Sequence, residues 1–222
     1  MNILNNKNYK AILWDNDGIL VNTEQWYYKA TLEAFASFSI KLSSDDFYTY
    51  FLEGSSGTSV YASLHGLSES NIASLKQKRN ELYNEYLSKE DIVIEGVKET
   101  LEKLKSNYVM AIVTSSRKSH FETIHNRTGL LKYFNFVITR EDYAFSKPSP
   151  EPYLTAANRS GFNIEECVAI EDSPRGLLAA KAASIDCIVI PNQLTKKADF
   201  NGATYKLENI TDIPSVLLPN NE

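Results

Sequence analysis

Apolar residues recur along this chain at two different periods, and the change of period divides it. Ala11-Ile12-Leu13-Trp14 is a continuous apolar run, as a strand buried on both faces shows, and similar runs follow at 108–113, 136–138, 167–170 and 187–190. Between them lie stretches with helical spacing near 96–106, 119–128, 150–159 and 174–184. Strands alternating with helices predict βαβ units and a parallel sheet, with the run at 11–14 as one of its strands. From about residue 23 to 92 the alternation stops. Apolar residues there recur at helical spacing, in Tyr28, Leu32 and Phe35, then in Ile72, Leu75, Leu82 and Tyr86 behind an expected N-cap at Ser70, with Arg79 interrupting the stripe. The pattern predicts a Rossmann-like α/β core from residues 1–22 and 93–222, an all-helical domain inserted at 23–92, and a return linker from Asp91 to Gly96. Helices of this kind can also pack on the flank of the sheet, and the pattern leaves both arrangements open.

The predicted strands end in chemically distinctive residues. Asp15 and Asp17 follow the first run directly, and in open α/β sheets ligands collect beyond the carboxyl ends of strands. Gly18 then permits a tight turn. An acidic strand-to-loop turn without function would look the same. The run at 108–113 leads into Thr114-Ser115-Ser116-Arg117, a hydroxyl cluster at the start of a helix, which can hold a phosphoryl oxygen or serve as an ordinary cap. Lys147 sits in Ser146-Lys147-Pro148-Ser149-Pro150, where prolines fix the loop. Held rigidly, it can neutralise a phosphate; unheld, it is a solvated surface lysine. The run at 167–170 ends in Glu171-Asp172-Ser173, a second acidic pair. Carboxylates gathered on one sheet edge repel one another unless a cation joins them, and carboxylates with room for water and phosphate oxygen are the hard ligands that Mg²⁺ takes.

The 222 residues, 43% of them hydrophobic, suffice for a large core with a smaller insert. A net charge of −5 argues against nucleic acid as a partner, though not against a small anion neutralised locally. Cys167 and Cys187 each lie in an apolar run, so both are expected as buried thiols in a reducing cytoplasm. With neither an apolar leader nor a run of about 18 apolar residues, a soluble protein without a membrane partner is expected. His65, His120 and His125 lack partners at metal-like spacing and read as surface or packing residues. The 13 tyrosines and 10 phenylalanines can line an interface of the helical insert, though aromatics at helical spacing are more often core, and a monomer is expected.

Asp15-Asn16-Asp17-Gly18, Thr114, Lys147-Pro148 and Glu171-Asp172-Ser173, in that order over nearly the whole chain, resemble the haloacid dehalogenase superfamily, in its branch of β-phosphoglucomutases and phosphoglycolate phosphatases with helical caps. The resemblance implies a role for each residue. Asp15 would be the nucleophile, forming an aspartyl-phosphate. Asp17 would protonate the leaving alkoxide and later deprotonate the attacking water. Thr114 would hydrogen-bond the phosphoryl group and Lys147 would offset charge, while Asp15, the Asp17 backbone carbonyl, Asp172 and Glu171 would hold Mg²⁺.

The implied activity is Mg²⁺-dependent hydrolysis of a small phosphorylated metabolite, with a sugar phosphomutase as the alternative and a non-catalytic binding protein on the same fold as a third. The mutases carry a histidine shortly after the first motif and basic cap residues; here Tyr27 holds the histidine position, and Leu52-Glu53-Gly54-Ser55-Ser56-Gly57-Thr58 places an acid and glycine where the mutase has lysine and arginine. A second phosphate is therefore expected to lack a clamp, which favours the phosphatase. Glu53, Ser55, Ser56 and Thr58 offer hydrogen bonds to substrate hydroxyls, as Ser115, Ser116 and Arg117 do from the core; Gly/Ser-rich stretches of this kind are also plain connections. The dehalogenases of the superfamily lack the second aspartate, and Asp17 is present.

Overall fold

A computed structural model describes residues 7–52 and 57–219, and the chain divides into two compact units, residues 1–22 with 93–222 and residues 23–92. In the first unit β1 (Ala11–Trp14), β2 (Val109–Val113), β3 (Phe136–Ile138), β4 (Cys167–Glu171), β5 (Asp186–Val189) and β6 (Tyr205–Lys206) form one parallel sheet in the order β3-β2-β1-β4-β5-β6. The fold is an α/β, Rossmann-like core with a helical insert. Helices α5 (Val97–Leu104), α6 (Lys118–His125), α7 (Glu151–Ser160), α8 (Pro174–Ala182) and α9 (Ile213–Leu217) belong to the same unit.

Side chains two apart on a strand share a face, so the sheet sorts its apolar residues into two layers. Leu13, Ala111, Val113, Ala169 and Val189 pack with Tyr153, Ala156 and Ala157 of α7 and Leu177 and Ala180 of α8. Ile12, Trp14, Met110, Ile112, Val168, Ile170 and Ile188, the alternate residues, are buried as well. Burial on both faces is why these strands read as unbroken apolar runs. Cys167 and Cys187 are free thiols in this interior. The sequence pattern anticipates the five longer strands; two-residue β6 is too short to carry a period.

The second unit contains α1 (Glu24–Ala36), α2 (Ser44–Phe47), a π-helical turn (Tyr48–Leu52), α3 (Gly57–Leu64) and α4 (Glu69–Lys89). The cap of α4 is Ser68 rather than Ser70. Ser68 has extended backbone angles (φ −68°, ψ 161°) and its hydroxyl accepts from the Asn71 N–H, whereas Ser70 lies inside the first turn. A side chain caps only from outside the helix, where it can reach back to the free N–H groups. Ile72, Leu75 and Leu87 are the buried residues of α4, and Leu82 and Tyr86 are half-buried. On α1 the inward face is Ala30, Thr31, Ala34 and Phe35, with Tyr28 and Leu32 half-buried beside it. The aromatics are core in part: Phe35, Phe47 and Tyr61 are buried, Phe47 stacks on Phe51 with centroids 5.0 Å apart and Phe35 meets Tyr61 edge-on at 5.4 Å, whereas Phe145 of the first unit is exposed. Among the described residues no helix is long and apolar enough to cross a membrane.

Candidate active site

Strand register sets the site. Trp14 lies opposite Ile112 of β2 and Ile170 of β4, so the residues that follow emerge level with one another at the carboxyl edge. The pairing continues past the strands: the Asp15 N–H donates to the Ile170 carbonyl at 2.9 Å and the Thr114 N–H to the Ile138 carbonyl at 3.0 Å. Asp15, Asp17, Thr114, Ser116, Lys147, Glu171 and Asp172 are thereby brought together.

Lys147 is the centre of the cluster. Its ammonium donates to Asp15 Oδ1 at 2.6 Å, to Glu171 Oε1 at 2.7 Å and to the Val113 carbonyl at 2.8 Å, which uses all three of its protons. At 6% exposure it is no solvated surface lysine. Arg175 fixes its backbone, donating to the Lys147 carbonyl at 2.8 Å. Burial works against the charged lysine, but the Asp15 and Glu171 carboxylates outweigh it and hold its pKa above the ordinary range. Burial also pushes the Asp15 carboxyl up, to about 8; Glu171 and Asp17 push the same way, against the pull of Lys147.

Glu171 is fully buried and its two oxygens are well supplied. Oε1 accepts from Lys147 and, at 2.6 Å, from the Tyr153 hydroxyl; Oε2 accepts from the Asp172 N–H at 3.3 Å and the Ser173 hydroxyl at 3.2 Å. Gly176 makes room for it, since a Cβ there would lie 1.8 Å from the Glu171 carboxyl carbon. Asp172 accepts from Asn192 Nδ2 at 2.6 Å. Gly18, at φ +84°, approaches so closely that a Cβ would stand 2.0 Å from Asp172 Oδ2.

Asp15, Glu171 and Asp172 each offer a carboxylate oxygen, all within 4.8 Å of one another. One buried ammonium cannot neutralise three such carboxylates, and an uncompensated buried charge is strongly unfavourable. The donor set is all hard oxygen, so these residues fit a divalent cation such as Mg²⁺. The Asp17 carboxylate is turned elsewhere: its Oδ2 accepts from Asn16 Nδ2 at 3.3 Å, from the Ser116 hydroxyl at 3.2 Å and from the Thr114 hydroxyl at 3.5 Å. Thr114 in turn accepts from the Ser116 N–H at 3.0 Å.

Ser115 and Arg117 are exposed beside this cluster in sequence. Glu53, Ser55 and Ser56 lie outside the described residues. Thr58 is buried in the helical unit, where its hydroxyl accepts from Arg79 Nη1 at 2.6 Å. The same guanidinium donates to the Tyr27 hydroxyl at 2.8 Å, and among the described residues all its partners are neutral. The helical unit thus carries a cation whose setting a break in an apolar stripe does not announce. Tyr153, Asn192 and Asn16 likewise support the site without having been singled out by pattern. Tyr153 follows the lysine loop closely, which is a usable signal; Asn192 carries none in the sequence.

A parallel sheet with carboxylates, a buried lysine and hydroxyls converging on its carboxyl edge is the arrangement of an α/β protein with a ligand site beyond its strand ends. A sequence model of the haloacid dehalogenase-like hydrolases matches residues 12–190, and the chain belongs to that family. It is 26% identical to protein CbbY of Rhodobacter capsulatus, over 95% of this chain and 97% of that one. It is 25% identical to the fructose-1-phosphate phosphatase YqaB of Escherichia coli, over 81% of this chain and 95% of that one. The crystal structure of CbbY from Rhodobacter sphaeroides in complex with phosphate superposes with a TM-score of 0.78 at 25% identity, covering 92% of this chain and 96% of that one.

Proposed function

We propose that this hydrolase is a Mg²⁺-dependent phosphatase acting on a small phosphorylated metabolite, such as a sugar phosphate, through an aspartyl-phosphate. One observation carries the proposal: Asp15 shares an ammonium with Glu171, while Asp17, two residues on, is held by hydroxyl and amide donors instead. Two carboxylates in two environments are suited to two roles.

An Asp15 oxygen attacks phosphorus, the bond from phosphorus to the ester oxygen breaks, and the departing oxygen takes a proton from Asp17. Water then attacks the same phosphorus and gives a proton to Asp17 while the Asp15–phosphorus bond breaks, which restores both residues and releases phosphate. Lys147 orients Asp15 and opposes the burial that disfavours its carboxylate, and the hydroxyls of Thr114 and Ser116 are set to meet phosphoryl oxygens. Asp15, Asp172 and Glu171, with the Asp17 carbonyl, would hold Mg²⁺, which when bound supplies charge neutralisation on the phosphoryl oxygens. Positioning and neutralisation are what phosphoryl transfer mainly requires. The E. coli relative named for fructose 1-phosphate supports a sugar phosphate as substrate. A cytoplasmic setting accords with the two free buried thiols.

A mutase is the second reading, favoured by the likeness to the crystal structure of a putative β-phosphoglucomutase from Thermotoga maritima, with a TM-score of 0.77 at 25% identity. The test is a panel of phosphate monoesters with Mg²⁺, scored for free phosphate. Release that stops with chelator and in Asp15→Asn is expected; no release from any ester would refute the phosphatase, and isomerisation of β-glucose 1-phosphate without net release would establish the mutase.

A further inference from the structure

Behind the Asp15–Asp17 turn lies a buried polar chain that the proposed reaction does not use. Asn16, fully buried between the two aspartates, donates from Nδ2 to Asp17 Oδ2 at 3.3 Å. Its Oδ1 lies 2.7 Å from Nε2 of His125, the last residue of α6, and His125 Nδ1 lies 3.0 Å from the Thr128 hydroxyl. All three are withdrawn from water: His125 is 3% exposed and Thr128 4%.

Chemistry fixes the direction of this chain. Asn16 turns its NH₂ group to Asp17 Oδ2, so the amide atom left to face His125 is its oxygen. That oxygen only accepts, so the imidazole proton sits on Nε2. Burial lowers the His125 pKa to about 4, so at neutral pH the ring has one proton, and Nδ1 accepts from the Thr128 hydroxyl. Hydroxyl, imidazole and amide therefore point one way, toward the carboxylate. An apolar residue at either position would leave a buried donor or acceptor without a partner.

We propose that His125 and Asn16 are positioning residues for the Asp17 carboxylate, holding it at the angle from which it protonates the departing oxygen. This rests on Asp17 acting as the acid in the phosphatase reading. Neither residue touches the substrate.

Leaving-group dependence separates this from a merely structural role. An alkoxide needs a proton to depart, whereas 2,4-dinitrophenolate does not, so misplacing the acid penalises only the first. The quantity to measure is kcat/KM, which reports the step that expels the leaving group. With glycerol phosphate as the alkyl ester, His125→Leu and Asn16→Leu are each expected to lose about 10- to 100-fold, part of what a general acid contributes. On 2,4-dinitrophenyl phosphate the loss is expected to stay below about threefold, and His125→Gln, which keeps an N–H donor, should regain most of the alkyl activity. Equal losses on both esters, or no loss on either, would overturn the proposal. If His125→Leu does not fold, Asn16→Leu decides alone. A wild type that hydrolyses neither ester would refute the phosphatase itself, an outcome distinct from an active wild type whose variants do not discriminate.

Discussion

Single side chains at this site are chosen by burial as much as by chemistry. Lys147 and His125 are both nearly inaccessible, yet one is held charged by two carboxylates and the other neutral by desolvation. The histidine has a consequence for stability. Its folded pKa of about 4 lies below the ordinary 6.5, so between those values the unfolded chain binds a proton that the folded one does not. The stability it contributes is complete above pH 6.5 and is lost as pH falls toward 4, by about 3 kcal/mol at 1.36 kcal/mol per pKa unit. Urea unfolding of wild type and His125→Gln at pH 7 and pH 4.5 should show the wild type losing more on acidification, the carboxylates being common to both. At this scale the sequence was legible where residue type and place already singled a residue out, since the aspartates, Lys147 and Thr114 are brought to one sheet edge. It was illegible for Asn16 and His125, because a polar residue between two acids and a histidine on an apolar helix face acquire meaning only when the fold sets them 2.7 Å apart.

Elements, by contrast, were legible in proportion to their length. The five longer strands show as apolar runs because both faces of the sheet are covered, while β6 and α9, two and five residues long, leave no periodic trace. Ser68 and Ser70 are equally good cap residues by type, and only backbone geometry separates them. Helix α8 shows how an element's local preference can be overruled. Gly176 sits in its first turn, where alanine would raise intrinsic helix stability by roughly 0.5–1 kcal/mol. A methyl group at that point would lie 1.8 Å from the Glu171 carboxyl carbon, an overlap with a fully buried group that costs about 1–3 kcal/mol. Gly176→Ala should therefore lower the melting temperature against helix propensity, and lower phosphatase activity too, since Glu171 would be driven off Lys147 and Tyr153. An unchanged melting temperature would mean that the carboxylate moves aside freely.

For the molecule as a whole, the distribution of charge matters more than its sum. The chain carries a net −5, and in the core three carboxylates offer oxygens within 4.8 Å of one another while one ammonium pairs with two of them. A folded state that bears this repulsion should be stabilised by a dication with no equivalent site in the unfolded chain. Stabilisation of about 2.7 kcal/mol is expected at a hundredfold excess of Mg²⁺ over its dissociation constant. Thermal unfolding in MgCl₂, against NaCl of equal ionic strength, should show the rise for wild type and lose it in Asp172→Asn. The division of the chain was visible in the change from alternating runs to helical spacing near residue 23. What the sequence could not convey was Arg79, whose setting depends on Tyr27 and Thr58 reaching it from 52 and 21 residues away.

The place where the helical unit leaves the core has an evolutionary corollary. Val21 pairs with Val93 in an antiparallel bridge, and the Ile94 N–H donates to the Leu20 carbonyl at 3.2 Å, so the chain's exit and re-entry are tied to each other by backbone of the core itself. Loop-closure entropy grows only with the logarithm of what is spliced between such points. The sheet is therefore indifferent to the length and content of the splice: residues 23–92 can be trimmed, enlarged or exchanged for foreign sequence while Asp15 keeps its register. A lineage can in this way revise the inserted unit without disturbing the strand edge that carries Asp15.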